Sequence, residues 1–408
     1  MRTPVLIVGG GLAGLTCAVE LERRGVEYRL LEAGLRLGGR VVTDRVEGFL
    51  LDRGFQVLLT GYPEIRRLWA MENLRLRRVR SGAVIRSQGK WLTLPDPLRH
   101  PGELLDALRS PVGSWMDKVR VALLALGSLG NKAENCFVGS SLTTLQFLQQ
   151  CGFSSKMIET FWRPFLAGVF LDWELKTSSD LFRFLFPLFA WGRVAVPAGG
   201  MQQIPLQLER RLTPGRVALD TRVEKLEGTC CWDQHGQLWE ADHVVLALEG
   251  SAADQLLGQV TQVRWAGTCT TYFASPSSIG GRGRLHLNAD GADSCIQHLI
   301  CMSDFAPEYA PAGQHLISVS SLFGAPAEDE LRGQLQEWFG SSVDGWRMLR
   351  QDHLPQALPS LAPGSRGLPL KVAEGVWRCG DYTGYPSLNA AVASGRIVAE
   401  SLGYGAPK

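Results

Sequence analysis

Four consecutive apolar positions, Val5-Leu6-Ile7-Val8, stand just ahead of a cluster of glycines. A short unbroken apolar run suits a strand buried on both faces of a parallel sheet. The period then changes. Leu15, Ala18, Val19 and Leu21 share one face of a helix predicted over 12–24, and Gly25 stops it. Tyr28-Arg29-Leu30-Leu31 returns to a strand and ends at Glu32. Strand, glycine turn, helix and strand make one βαβ half-unit.

From about 86 to 196 the pattern becomes helical and rich in aromatics, with Pro and Gly breaks. Residues 141–150 predict a helix capped by Ser141. Around 199–250 the βα pattern returns, with strands at 222–226 and 243–248. Residues 264–274, 283–288, 294–302 and 315–322 then read as strands of a separate sheet, and 326–339 as a charged helix. A strand at 376–378 and a helix over 389–402 follow. This alternation predicts two domains, each assembled from several chain segments, with no internal repeat.

A length of 408 residues allows two or three domains at roughly 150 residues each. Hydrophobic content of 45% and charged content of 20% describe an ordinary soluble globular protein. The net charge, 42 − 40 = +2, and the lack of a dense Lys/Arg run argue against a nucleic-acid partner. The nine cysteines form no C-x-x-C, so neither a disulfide framework nor a zinc site is expected. No signal-like leader and no apolar stretch of membrane-spanning length stands out, which leads to a cytoplasmic expectation.

The chemistry begins at Gly9-Gly10-Gly11-Leu12-Ala13-Gly14, a G-x-G-x-x-G placed between strand and helix. Gly9 allows the tight turn, Gly11 lets the backbone approach a pyrophosphate, and Gly14 lets the helix pack on the strand. The helix start at Leu12 and Ala13 offers free N–H groups and a positive dipole end. Glu32, at the end of the second strand, is placed to accept both ribose hydroxyls of a dinucleotide.

The following residues decide which dinucleotide. Glu32-Ala33-Gly34-Leu35-Arg36-Leu37-Gly38-Gly39-Arg40-Val41-Val42-Thr43 resembles the E-A-x-x-R-x-G-G-R-x-x-T segment of the flavin amine oxidase, protoporphyrinogen oxidase and phytoene desaturase superfamily. The resemblance continues through Asp52-Arg53-Gly54-Phe55-Gln56, through Pro197-Ala198-Gly199-Gly200-Met201, and through Cys379-Gly380-Asp381 ahead of Ser387-Leu388-Asn389. It implies a non-covalently bound FAD. Ala33, Arg36, Gly38, Gly39 and Arg40 would line its ribose and pyrophosphate. Gly54, Phe55 and Gln56 would pass beside the isoalloxazine, and Val223 would meet the adenine. Gly380 and Asp381 would contact the ribityl and phosphate region, and the helix start at Leu388 and Asn389 would face flavin O2. The expected fold is α/β: a Rossmann-type FAD-binding domain from 1–85, 197–255 and 360–408, and a mixed-sheet plus helical substrate domain from 86–196 and 256–359.

Departures from the pattern narrow the reaction. Amine-oxidising relatives hold a Lys near flavin N5 on the substrate sheet, yet this chain has no lysine between Lys225 and Lys371. Ser387 stands where those relatives place a cage tyrosine, with Tyr382 and Tyr385 offset from it. Relatives with a thioether-linked flavin place their cysteine well before the Gly-Asp, where this chain has none, so Cys379 reads as a small buried side chain. Of the seven histidines none shows paired-ligand spacing, no metal is expected, and His353 is the one nearest a flavin-facing loop.

Phe161, Trp162, Phe165, Phe170, Trp173, Phe182, Phe184, Phe186, Phe189 and Trp191 crowd one region. Such a run builds either a helical core or an apolar tunnel. Residues 116–129 are a second apolar segment, a candidate for peripheral membrane contact as well as for core. The reading that follows is dehydrogenation or isomerisation of a hydrophobic substrate such as a carotenoid, quinol or porphyrinogen, with oxygen or a quinone as electron acceptor. The alternatives are a flavin amine oxidase producing hydrogen peroxide, an NAD-dependent dehydrogenase, and a non-enzymatic carrier of the same fold.

Overall fold

The computed structural model describes residues 2–68, 71–130, 136–260, 263–322 and 324–404. Its first sheet runs in the order Val217–Ala218, Tyr28–Leu31, Arg2–Val8, Leu238–Leu246, Cys230–Asp233, Val223–Glu227. The first four of these strands are mutually parallel, and Leu238–Leu246 then turns into an antiparallel meander with the last two. Leu238–Leu246 also pairs in parallel with Val376–Arg378 through its second half. Val5, Leu6 and Ile7 are fully buried because both faces of their strand are covered, which is why no polar alternation marks them. Helices Leu12–Arg23 and Leu388–Ser401 pack against one another.

The second sheet has seven strands, ordered Arg347–Pro359, Trp265–Ser275, His315–Ser321, His298–Cys301, Leu285–Asn288, Ala83–Ser87, Lys90–Leu94. All its pairings are antiparallel except Leu285–Asn288 with Ala83–Ser87. Two parts of it escaped the sequence pattern. The hairpin Ala83–Ser87/Lys90–Leu94 occupies what read as the edge of the helical region, and the 85/86 boundary cuts through its first strand. The strand Arg347–Pro359 is half-buried along most of its length and carries polar residues that find partners across the sheet, such as Gln351 donating to the Thr271 hydroxyl. Without apolar alternation it did not read as a strand. The helix expected over 141–150 begins later, at Thr144. Thr143 and Gln146 form its capping box, because the Thr143 hydroxyl sits three residues ahead of the Gln146 N–H it accepts from.

Asp52 ties the hairpin Thr43–Val46/Phe49–Asp52 and the segment at Met201 to the second sheet. This residue ends the hairpin Thr43–Val46/Phe49–Asp52 and is 2% exposed. Its Oδ1 accepts from the Thr43 hydroxyl at 2.5 Å and from the Met201 backbone N–H at 3.0 Å. Its Oδ2 accepts from the Tyr309 hydroxyl at 2.9 Å, and its carbonyl accepts from the Tyr272 hydroxyl at 2.9 Å. Burial dominates and pushes the carboxyl up to about 6, against the opposing pull of its donors.

A carboxyl with a raised value in the folded state takes up a proton on folding between its ordinary value and about 6. It therefore subtracts stability as pH rises through that window and gives no further change above it. An amide at this position has no charge to bury. The stability of Asp52→Asn relative to the native protein should improve from pH 4.5 to pH 7.5, by an amount on the order of 2 kcal/mol. Thermal melts at the two pH values check this, and a relative stability that does not move with pH counts against a buried protonated carboxyl.

Candidate active site

A cavity of about 1720 Å³ begins at the carboxyl ends of the parallel strands and continues between the second sheet and the helical segments. Open α/β sheets bind ligands at that end of their strands. Gly9, Gly11, Leu12 and Ala13 form its wall with Glu32, Gly38, Gly39 and Arg40. So do Gly54, Phe55 and Gln56, together with Gly380, Asp381 and Leu388.

Two glycines of the turn do different work. A Cβ added at Gly14 would lie 2.0 Å from the Gly9 carbonyl oxygen, so Gly14 serves packing, and it is absent from the cavity wall. A Cβ at Gly11 would meet nothing closer than Gly39 Cα at 4.0 Å, because Gly11 faces open space. Glu32 accepts from the N–H groups of Gly10 and Gly34, each at 2.7 Å. Each of its oxygens keeps a second lone pair for a hydroxyl. Arg40 pairs with Asp381 at 2.5 Å, donates to the Ala357 carbonyl at 2.8 Å, and lies 5.4 Å from the Trp265 ring centroid. Gln56 donates to the carbonyls of Arg40 and Arg53, which fixes the turn beside it. An open glycine turn, a helix start, a carboxylate and an arginine together fit a dinucleotide, and these are the residues that would hold FAD.

Several expected residues stand off the wall. Arg36 is exposed and not on the cavity wall, and Asp44 of the adjacent hairpin pairs with it at 2.5 Å. Ala33 is not on the cavity wall, and Val223 is buried in its strand outside the cavity. The Asn389 side chain accepts from Glu64 N–H and donates to the Tyr385 hydroxyl, so only its place at the helix start is near the site. Cys379 is fully buried off the wall, and burial pushes its thiol up to about 12.

The far half of the cavity is apolar. Phe161, Trp162, Phe165, Phe170, Phe182, Phe186 and Phe189 line it, whereas Trp173, Phe184 and Trp191 do not. Phe184 packs against Tyr62 and Tyr385, and Tyr385 also stacks on Phe137 at 4.1 Å, so Tyr385 belongs to the core. Tyr382 is buried in the core against the first sheet. Ser387 is at the wall, where its hydroxyl caps the closing helix by accepting from Ala390 N–H at 3.0 Å. The lysine at the wall, Lys118, comes from helix Trp115–Gly127 and donates to the carbonyls of Leu108 and Ser110.

The histidine expected near the flavin, His353, is exposed and off the wall. His298 is there instead, beside Thr270 and Ser320 of the neighbouring strands. No local motif marks it; only strand register puts these three on one face. Among the described residues, Cys301, Asp304 and His315 have ligand-type atoms within 4.8 Å of one another. None of the three lines the cavity, burial pushes the thiol up to about 12, and Ser303 already bonds to His315.

Loss of the ribose hydrogen bonds in Glu32→Ala should weaken FAD binding about 10- to 100-fold. Gly11→Val should abolish FAD binding while the apoprotein melts normally, whereas Gly14→Val should lower the melting temperature of the apoprotein itself. Flavin titration and thermal melts separate the two. Acid or heat denaturation should release all of the yellow chromophore, and flavin retained on the precipitate would show a covalent bond.

Comparison with known proteins places this site. Residues 12–402 match the family described as flavin containing amine oxidoreductase. Coproporphyrinogen III oxidase of Propionibacterium freudenreichii subsp. freudenreichii is 30% identical over 125 residues, 29% of this chain and 24% of the relative. Protoporphyrinogen oxidase 2 of Arabidopsis thaliana is 23% identical over 164 residues, 40% of this chain and 32% of the relative. These matches thus span about a third or less of the curated relatives' lengths. The structure of a protoporphyrinogen oxidase-like protein from Exiguobacterium sp. 255-15 superposes with a TM-score of 0.73 at 20% identity, covering 98% of both chains, which establishes the shared fold. With nearly its whole length matched, the chain belongs to the flavin-containing amine oxidoreductase family, a family of FAD-dependent oxidoreductases.

Proposed function

We propose that this protein dehydrogenates or isomerises a largely apolar substrate. The observation that carries the reading is the continuity of one cavity from the dinucleotide end into a wall of aromatic side chains. FAD, when bound, supplies the hydride acceptor. The chain's own part is to bind the substrate, orient it and keep water out, and Phe161, Phe165, Phe186 and Phe189 suit that part. Each methylene buried among them contributes roughly 0.8 kcal/mol.

A cationic amine fares worse. The carboxylates at the wall already have partners: Glu32 takes two backbone N–H groups, Asp96 pairs with Arg99, and Asp381 pairs with Arg40. Glu249 faces the Gln356 amide, whose nitrogen donates to it at 2.8 Å. An ammonium entering the aromatic half would shed its hydration without a counter-charge. Anaerobic flavin bleaching should therefore be faster with a panel of isoprenoids, quinols and porphyrinogens than with benzylamine, polyamines or amino acids. The reverse order would support the amine-oxidase reading instead. Reoxidation by oxygen or a quinone is then read from the rate at which colour returns.

The mouth of the apolar half points to where such a substrate comes from. Helices Leu104–Arg109 and Trp115–Gly127 carry exposed apolar residues at the cavity's edge, where Leu104, Leu108, Trp115 and Val119 both border the cavity and reach solvent. Trp115, Val119, Leu123 and Leu126 form one exposed stripe at helical spacing, and Leu104, Leu105 and Leu108 form another, with Leu105 62% and Trp115 69% exposed. Arg109, Lys118 and Lys156 stand with them and outnumber the exposed Asp106, while the nearby Asp117 is consumed by Ser114 and Ser154. An apolar face with cations beside it matches an anionic lipid surface. No helix among the described residues is long and apolar enough to cross a membrane, so the contact would be peripheral. The holoprotein should sediment with phosphatidylglycerol-containing vesicles more than with phosphatidylcholine alone, and Leu105→Ser with Trp115→Ser should cut that binding about 10-fold or more. Equal sedimentation of native and variant proteins would remove this face from consideration.

A further inference from the structure

The cavity holds a small polar island inside its apolar half. His298 is on the strand His298–Cys301, Ser320 on His315–Ser321 and Thr270 on Trp265–Ser275. Ser320 is in register with both His298 and Thr270, so the three side chains rise in a row from one face of the sheet. All three reach the cavity wall. The Thr270 hydroxyl accepts from Phe55 N–H at 3.2 Å, which ties the row to the loop expected beside the isoalloxazine. The Phe55 ring stands edge-on to His298 at 5.2 Å.

His298 and Ser320 are left over. Both are more than nine-tenths buried, at 5% and 2% exposure. Yet neither ring nitrogen of His298 and not the Ser320 hydroxyl has a hydrogen-bond partner in the protein. Buried polar groups are nearly always paired, so orphaned atoms on two adjacent residues of a cavity wall call for a ligand or solvent to satisfy them. Gly168 of the helix Arg163–Phe170 leans over the ring, and a Cβ there would come within 2.8 Å of Nδ1. The ring is thus packed in place without being hydrogen-bonded.

We propose that His298 and Ser320 anchor one uncharged hydrogen-bonding group, a hydroxyl or an N–H, on an otherwise apolar substrate. This rests on the reading of the cavity as the substrate site and narrows it. A neutral imidazole offers one donor and one acceptor, and a hydroxyl offers both, so the pair matches a group that itself donates and accepts. Burial alone pushes His298 down to about 4, so it is neutral at physiological pH and presents no charge to an ion. A pure hydrocarbon in the same place would leave these atoms unsatisfied, and sites built to bond a hydroxyl reject analogues that lack one.

The test compares 4-decylphenol with its methyl ether, binding to FAD-loaded protein being measured by calorimetry. The phenol should bind about 10-fold or more tightly than the ether. His298→Leu should bring the two affinities together while leaving the ether's own affinity near its native value, and Ser320→Ala should narrow the gap in part. In protein carrying 13C-labelled histidine, the His298 ring resonance should shift with the phenol and stay put with the ether. Should His298→Leu fail to fold, Gly168→Ala crowds the same ring from the helix side and should narrow the gap as well. An equal preference in native and variant proteins, or no preference in the native protein, overturns the anchor while the apolar cavity stands. Failure of both probes to bind would instead bring down the apolar-substrate reading, and the anchor with it.

Discussion

A carboxylate sealed away from water where the Thr43–Val46/Phe49–Asp52 hairpin meets the second sheet is the constraint on which the rest of this molecule depends. Asp52 receives hydrogen bonds from its own hairpin, from the segment returning at Met201, and from Tyr309 beyond the second sheet. Tyr272, on the strand next to the edge strand Arg347–Pro359 of that sheet, bonds to its carbonyl. Hydrogen bonds to a charged group contribute about 1.5–3 kcal/mol each, and here they offset part of the cost of burying the carboxyl, whose value stays raised. The residues that follow, from Arg53 to Val57, all line the cavity. What Asp52 fixes is therefore the position of the loop standing between the dinucleotide end and the apolar end.

That placement divides the cavity by electrostatics. At one end the charged groups are numerous but matched, Arg40 with Asp381 and Glu32 with two backbone donors. At the other end the wall is mostly aromatic, with the row Thr270, Ser320 and His298 on the sheet side and cations such as Arg99 and Lys118, each bonded to backbone carbonyls, on the helical side. A ligand with charged phosphates and an apolar reactant can lie end to end without either meeting the wrong environment. The same division explains why losing the lysine typical of amine-oxidising relatives does not leave a hole in the design: the sheet strands facing the site carry Thr270, Ser320 and His298.

The parts of this arrangement legible in the sequence are those whose chemistry is local. The glycine turn, its flanking strand and helix, and Glu32 sit within one short stretch, and each residue's role follows from its neighbours. Roles set by distant partners were harder to read. Arg36 carries the right side chain for a phosphate, but Asp44 competes for it across a hairpin that no motif announces. His353 and His298 look alike in sequence; register alone points one to solvent and the other into the cavity. The strand Arg347–Pro359 lacks apolar alternation because its polar side chains are satisfied by other strands. The aromatic run was ambiguous between core and tunnel, and it is both: Phe184 packs inward while Phe182 and Phe186 border the cavity.

The interleaving of segments has a consequence for biosynthesis. The sheet bearing the glycine turn gains its strand Val376–Arg378 only after the whole second sheet has been made, and Gly380, Asp381 and Leu388 complete the cavity wall after that. During translation the early βαβ unit emerges without the partner strand and the closing helix that cover it. Topologies dominated by such distant pairings fold slowly, and their exposed intermediates invite aggregation. The nascent chain thus has no finished pocket to offer the flavin, so cofactor capture belongs to the last stage of maturation, when it can lock the two separated halves of the nucleotide-binding sheet together.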